Sequence, residues 1–131
     1  MRHNVLALAG RALVLHGLKR APSASMQPAP YRPSLHFFVC NNRRPADHPL
    51  GPGCGARGES VFAGLKERVA IDRDYQRVWV TQTGCIGVCP RRGATVAIYP
   101  EGRILTEVGP EDVDPLYDEA VVGKRAAGAP R

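Results

Sequence analysis

Four cysteines constrain the fold and the chemistry of this 131-residue chain more than any other feature of its sequence. Two flank a stretch rich in glycine and proline, and two lie close together farther along the chain: Cys40, Cys54, Cys85 and Cys89. In a short chain such a set indicates disulfides, a metal site or reactive thiols. The number of cysteines does not distinguish these three possibilities, so the residues around the cysteines and their spacing must.

Apolar runs on either side of a helical pattern predict a parallel pair of strands. Residues 35–39 and 77–81 are typical of buried strands, and the apolar periodicity over 59–70 predicts a helix between them. Strands joined through a crossover helix run parallel, so their carboxyl ends lie at the same edge of a sheet. One cysteine directly follows the first strand, one precedes the helix, and two follow the second strand. We therefore expect the four sulfurs to meet at that edge.

The rest of the pattern predicts a hairpin and a second helix. Residues 95–99 and 103–108 are typical of strands, and the short Pro-Glu-Gly connection between them favours an antiparallel hairpin. A last helix is predicted to start with Asp114 as its N-cap and to stop at Gly123. The order β-α-β-β-β-α predicts an α/β fold, in which a small mixed β-sheet is flanked by two helices.

Residues 1–34 predict a disordered N-terminal extension, because the segment contains no acidic residue and ends in prolines that are incompatible with a helix. Two interpretations of this segment stay open. It is a transit-like targeting segment, or the translation start is misassigned and the protein begins at Met26. The folded domain is predicted over residues 35–123, followed by a flexible tail at 124–131.

The net charge of +6 belongs mainly to the N-terminal arm, because residues 1–46 contain no acidic side chain. Without a clustered basic face on the domain itself, we expect no nucleic-acid partner. The apolar stretch 5–18 is too short to span a bilayer, so we expect no membrane association. Arg11 interrupts that stretch and argues against a secretory signal, which predicts a cytoplasmic protein.

The neighbours of the cysteines favour an anionic group over zinc. Structural zinc is usually held by tight Cys-x₂-Cys pairs, and neither pair here has that spacing. The spacing also departs from the Cys-x-x-Cys of thioredoxin-type redox sites. Glycines instead surround the sulfurs and let backbone amides point at a negative group, as a two-iron thiolate cluster requires. Disulfides and a zinc-stabilised interaction module remain open alternatives on the residues alone.

Three segments resemble a known family. They are Phe-Val-Cys-Asn-Asn-Arg-Arg-Pro at 38–45, Gly-Cys-Gly-Ala-Arg-Gly at 53–58 and Thr-Gly-Cys-Ile-Gly-Val-Cys at 83–89. Together with the later segments 96–102 and 109–113, they are similar to the thioredoxin-like [2Fe–2S] ferredoxins, which include the Shethna-type proteins. The resemblance covers about residues 36–122, and only the N-terminal extension departs from it.

The resemblance implies a thioredoxin-like fold and a single [2Fe–2S] cluster with four thiolate ligands: Cys40, Cys54, Cys85 and Cys89. It implies one-electron transfer between redox partner proteins, namely a reductase or flavoenzyme and an electron-acceptor enzyme, and often a homodimer. A weaker similarity to a small subunit of respiratory NADH dehydrogenases leaves an accessory electron-transfer subunit as an alternative. We find no phosphate loop and no informative catalytic arrangement, so we expect no enzyme and no catalytic residues.

Four further residues are candidates for the environment of the cluster: Arg57, Thr83, Gly55 and Gly87. Arg57 stands in the Gly-x-Arg-Gly setting of the family, and with the arginines at 43, 44, 91 and 92 it is a candidate to offset the negative charge of the cluster or to dock an acidic partner. The Thr83 hydroxyl is a candidate donor to a cluster sulfur. The alternative for the arginines is an ordinary solvated surface. Trp79 is expected to serve in packing or in a dimer contact.

Overall fold

The computed structural model describes residues 19–21 and 23–128, with side-chain positions up to Gly123. The chain divides into two units, and the second of them begins at Tyr31, close to the predicted start of the domain. Within the described residues 23–34 there is no helix or strand. Residues 1–18 and 22 of the predicted extension and the last three residues of the predicted tail lie outside the described residues.

The elements follow the predicted order. They are β1 (Leu35–Cys40), α1 (Gly55–Asp72), β2 (Val78–Thr83), β3 (Ala94–Tyr99), β4 (Arg103–Val108), a 3₁₀ turn (Pro110–Asp112) and α2 (Val113–Gly128). The sheet order is β2-β1-β3-β4. Strand β1 pairs in parallel with β2, whereas the β1–β3 and β3–β4 pairs are antiparallel. The predicted parallel pair and the predicted hairpin are confirmed.

Both helices cover one face of the sheet. Every second residue of β1, namely Leu35, Phe37 and Val39, is buried against them. Helix α1 contributes three buried aliphatic side chains, and the ring of Tyr117 from α2 stacks on Phe37 at a centroid distance of 6.1 Å. The period-2 burial of the strand and the apolar stripe of each helix thus produce a two-layer α/β domain.

Asp74, directly after α1, anchors that end of the helix to α2. Its carboxylate is 5% exposed and accepts hydrogen bonds from the Tyr117 hydroxyl at 3.0 Å and from the Arg77 guanidinium. Burial, and then this carboxylate, raise the pKa of Tyr117. Arg68 lies over the Tyr117 ring and bridges carboxylates of both helices, which fixes their packing.

Two helix boundaries differ from the prediction. Helix α1 begins at Gly55 and not at residue 59, because tertiary packing overrides the poor helix propensity of Gly55 and Gly58. Helix α2 begins at Val113, so Asp114 lies in its first turn and is not the N-cap. It also continues past Gly123 to Gly128, since a single glycine weakens a helix without ending it. The predicted tail is therefore helical over residues 124–128.

None of the helices in the described part of the chain is long and apolar enough to cross a membrane.

Gly58 sets how closely α1 approaches the end of β1, since a Cβ atom there would overlap the carbonyl oxygen of Cys40. We expect Gly58→Ala to destabilise the domain by about 1–3 kcal/mol through overpacking. Each kcal/mol corresponds to a drop of roughly 4–8 °C in the midpoint of thermal unfolding for a domain of this size. Circular dichroism melting measures the change.

Gly123→Ala is the matched control, because Gly123 is also helical but its added Cβ would meet no atom within 4 Å apart from its own helix backbone and chain neighbours. We expect that variant to melt at or above the wild-type temperature, since alanine favours a helix over glycine by up to about 1 kcal/mol. Equal melting of the two variants would contradict a close approach at Gly58.

Candidate metal centre

The four cysteines lie at the edge of the sheet where β1 and β2 end. Cys40 is the last residue of β1 and pairs in register with Thr83, the last residue of β2. Cys54 is the N-cap of α1, and Cys85 and Cys89 lie in the loop that follows β2. The parallel pairing of the two strands therefore brings both cysteine-bearing loops, which we call the ligand loops after their expected role, to one side of the domain.

The sulfurs form two pairs that differ in exposure. Cys40 and Cys54 are each 2% exposed, and their thiols are near enough for Cys40 to help raise the pKa of Cys54. Cys85 and Cys89 are exposed, and their Sγ atoms lie 3.7 Å apart. No disulfide joins any of the four. The site thus has an inner pair of thiols and an outer pair, which we define as Cys40/Cys54 and Cys85/Cys89.

The geometry of the outer pair suits one tetrahedral metal ion. Two thiolates bound at about 2.3 Å to such an ion lie roughly 3.8 Å apart, which is close to the separation in this structure. Among the residues described, no three Cys, His, Asp or Glu side chains surround a single point at metal-binding distance. The structure therefore brings the sulfurs together in two pairs, and it does not gather all four around one point.

A cavity of about 640 Å³ opens between the two ligand loops, and both pairs contribute to its lining through Cys54 and Cys89. The other lining side chains are mainly arginine and proline, together with three glycines. Two thiolate pairs beside one cavity of positive character fit a dianionic group containing two metal ions, each of which takes two thiolates. A single zinc ion with four thiolates fits this arrangement less well.

Gly87 prepares the outer pair for the thiolate state. Its φ of 112° is a conformation that glycine alone adopts readily, and it turns the Gly87 N–H to donate to Cys85 Sγ at 3.3 Å. That hydrogen bond, followed by the contact with Cys89, lowers the pKa of Cys85. In the inner pair burial dominates and raises the pKa of the Cys54 thiol, and the adjacent Cys40 thiol adds to the increase.

Gly55 opens α1 with a φ of 43°, and its N–H donates to the carbonyl of Asn42 at 3.0 Å. This bond ties the start of the helix to the loop that follows Cys40. Gly55 therefore contributes to the site by setting the course of the backbone next to Cys54, and not by contacting a sulfur with a side chain.

Arg57 connects the two ligand loops. Its half-buried guanidinium donates to the carbonyl of Gly53 at 2.8 Å, beside Cys54, and to the carbonyl of Arg91, beyond Cys89. The sequence makes Arg57 a candidate to offset negative charge or to dock a partner. The structure shows a cross-link between backbone carbonyls, which spaces the two loops. The charge of Arg57 also partly opposes the burial that raises the pKa of the Cys54 thiol.

Thr83 does not donate to a sulfur in this structure. Its hydroxyl donates to the carbonyl of Gly84 at 2.8 Å, because the chain turns away from the sheet at that point. The threonine that supports the site is Thr95 of β3, which is fully buried and donates from its hydroxyl to the carbonyl of Val88 at 2.8 Å. Sequence reasoning missed Thr95, whose only signal is a hydroxyl within an apolar strand.

Three further arginines near the site differ in their partners. Arg43 and Arg92 form ion pairs with Glu59 and Glu107, respectively. Arg44 instead donates from Nη1 to Cys89 Sγ at 3.3 Å. The local sequence gives no sign of this difference, because it depends on which loop each side chain meets.

Comparison with known proteins identifies close relatives, although no family model matches the chain. Over 90 residues it is 37% identical to a protein of Aquifex aeolicus (strain VF5) named "Ferredoxin, 2Fe-2S", covering 67% of this chain and 79% of the relative. Over 89 residues it is 27% identical to a protein of the same name from Clostridium pasteurianum, covering 68% of this chain and 86% of the relative.

Solved structures give the same result. The wild-type thioredoxin-like [2Fe–2S] ferredoxin from Aquifex aeolicus superposes with a TM-score of 0.62 at 33% identity, covering 70% of this chain and 89% of that one. A variant of that ferredoxin with one cysteine replaced by serine gives a TM-score of 0.61, again at 33% identity, covering 68% of this chain and 88% of that one. The α/β, thioredoxin-like fold predicted from the sequence is confirmed, and the chain belongs to the thioredoxin-like [2Fe–2S] ferredoxin family.

Proposed function

We propose that this protein is a one-electron carrier that binds a single [2Fe–2S] cluster through Cys40, Cys54, Cys85 and Cys89. The observation that carries the proposal is the pairing of the sulfurs at one sheet edge, with one cysteine of each pair, Cys54 and Cys89, lining the same cavity. When bound, such a cluster supplies reversible one-electron chemistry and requires four protein ligands, two for each iron. The relatives are ferredoxins, which are electron carriers and not enzymes.

The outer pair is the side of the site from which electrons enter and leave. Cys85 and Cys89 are exposed, whereas Cys40 and Cys54 are buried under α1. Because transfer between proteins requires close approach of the two redox centres, the partner proteins dock over the loop that follows β2. Those partners are a reductase or flavoenzyme as donor and an electron-accepting enzyme. The four unbridged thiols are consistent with the reducing cytoplasm.

A second copy of the chain is proposed as a partner on the open face of the sheet. The helices leave this face uncovered, and aromatic side chains line it, with Phe38 against Tyr99 and His36 against Trp79. Tyr99 is 46% and Ile104 48% exposed. Burial lowers the pKa of His36, so its ring is neutral at pH 7 and adds no charge to the apolar contact. Trp79 is half-buried here, as expected of a packing or dimer residue.

The protein isolated without oxygen is expected to contain two irons and two acid-labile sulfides per chain. We expect Cys85→Ser/Cys89→Ser, which removes the thiolates of the outer pair, to lose most of this iron and sulfide, because two remaining thiolates cannot hold both irons. Metal and sulfide analysis with a visible spectrum measures the outcome. One zinc per chain without sulfide would instead establish a zinc-stabilised interaction module and refute the proposal.

Arg57→Gln is expected to shorten the lifetime of the bound cluster several-fold. The substitution removes donors from two carbonyls that hold the ligand loops together, and hydrogen bonds from a charged donor contribute about 1.5–3 kcal/mol. Loss of visible absorbance in air measures the lifetime. Arg92→Gln removes the same charge from an 87%-exposed side chain that bonds to Glu107, so it should leave the lifetime unchanged. Equal effects of the two variants would contradict a cross-linking role for Arg57.

Tyr99→Asp is expected to convert a dimer to a monomer, because it places a charge on the apolar face without disturbing a buried side chain. Sedimentation velocity measures the mass. Val122→Asp, a change at an exposed site on α2 (60% exposed), is the control and should leave the dimer intact. A wild-type protein that sediments as a monomer at high concentration would overturn the proposed dimer.

A further inference from the structure

We propose that Arg44 sets the reduction potential of the site by donating its guanidinium N–H to the sulfur of Cys89. The proposal rests on the proposed function, since it concerns the cluster that the four cysteines would hold. It assigns to Arg44 a positioning and tuning role that its neighbour Arg43 does not share.

The contact joins the two ligand loops at a sulfur atom. Arg44 belongs to the loop between the first two cysteines, yet its Nη1 lies 3.3 Å from the Sγ of Cys89 in the other loop. The backbone of Arg44 is held in place, because its N–H donates to the carbonyl of Pro52 at 2.9 Å and closes its own loop. The guanidinium therefore extends from a fixed point of that loop to the sulfur.

Three neighbouring cations contact other groups. Arg43 binds the carboxylate of Glu59, Arg92 binds that of Glu107, and Arg57 bonds to backbone carbonyls. Among the described arginines around the cavity, Arg44 is the one with a hydrogen bond to a ligand sulfur. It therefore responds most directly to a change of charge on the thiolates.

Reduction of a two-iron cluster adds one electron, and part of the added negative charge resides on the ligand sulfurs. A cationic donor bonds more strongly to a sulfur of higher negative charge, so it stabilises the reduced form more than the oxidised form. Such hydrogen bonds are one of the factors that set the potentials of iron–sulfur proteins. Arg44 is accordingly expected to raise the potential.

The effect should also resist salt. The Arg44–Cys89 contact is shorter than the Debye length of about 10 Å at 0.1 M salt, and direct contacts are screened less than distant charges. Arg43 has no hydrogen bond to a sulfur among the described contacts and already has an acidic partner. High ionic strength therefore distinguishes a potential shift caused by a direct hydrogen bond, which persists, from one caused by a more distant charge, which is screened.

The test is the midpoint potential of the cluster-containing wild type, Arg44→Gln and Arg43→Gln, measured by redox titration with EPR detection at low and high salt. Arg44→Gln should lower the reduced-to-oxidised ratio at a fixed ambient potential on the order of tenfold, which corresponds to about −59 mV for a one-electron couple. The shift should persist at high salt. Arg43→Gln, which removes the same charge one position away, should shift the potential less and lose its shift at high salt.

Arg44→Lys is the second variant and carries the test if the glutamine variant does not assemble a cluster. Lysine keeps the charge but not the planar donor group, so its potential should lie between those of wild type and Arg44→Gln. Equal shifts in Arg43→Gln and Arg44→Gln, or a wild-type potential in either Arg44 variant, would overturn the proposal. A wild-type protein without iron or sulfide would instead refute the proposed function, so the two failures are distinguishable.

Discussion

The parallel pairing of β1 with β2 is the constraint on which the site depends. It places Cys40 opposite Thr83, so the two loops that carry the remaining cysteines leave the sheet at the same edge. Helix α1 makes this pairing possible as the crossover, and Gly58 lets the helix lie against the carbonyl of Cys40. Without that close approach the N-cap cysteine, Cys54, would not meet its partner at the end of the strand.

Regular structure positions only the inner pair of thiols. Cys40 ends a strand and Cys54 begins a helix, and both are buried. The outer pair lies in a loop without helix or strand. Side-chain hydrogen bonds to the backbone of this loop take the place of the backbone hydrogen bonds of a sheet. Arg57 and Thr95 hold the carbonyls of Arg91 and Val88 on either side of Cys89. The exposed half of the site therefore depends on a few polar contacts, as functional loops on a rigid scaffold commonly do.

Much of the fold was predictable because its signals are local. The apolar runs predicted four strands within about two residues, and the Pro-Glu-Gly connection predicted the hairpin. The helix ends were predicted less well. Gly55 and Gly58 have low helix propensity, yet they lie in α1 because packing against the end of β1 requires small residues there. Similarly, glycine is typical of the end of a helix, but Gly123 lies within a helix that continues to Gly128.

By itself the sequence determined the order of the elements, the edge at which the cysteines meet and the resemblance that named four ligands. The first two follow from periodicity and spacing, which the chain carries locally, whereas the four ligands are what the family resemblance implies. Only the tertiary structure decided how the surrounding groups are used. Arg43 and Arg44 are adjacent and chemically identical, yet one binds Glu59 and the other contacts Cys89. That choice depends on the path of a loop relative to a distant loop, and no local pattern encodes it.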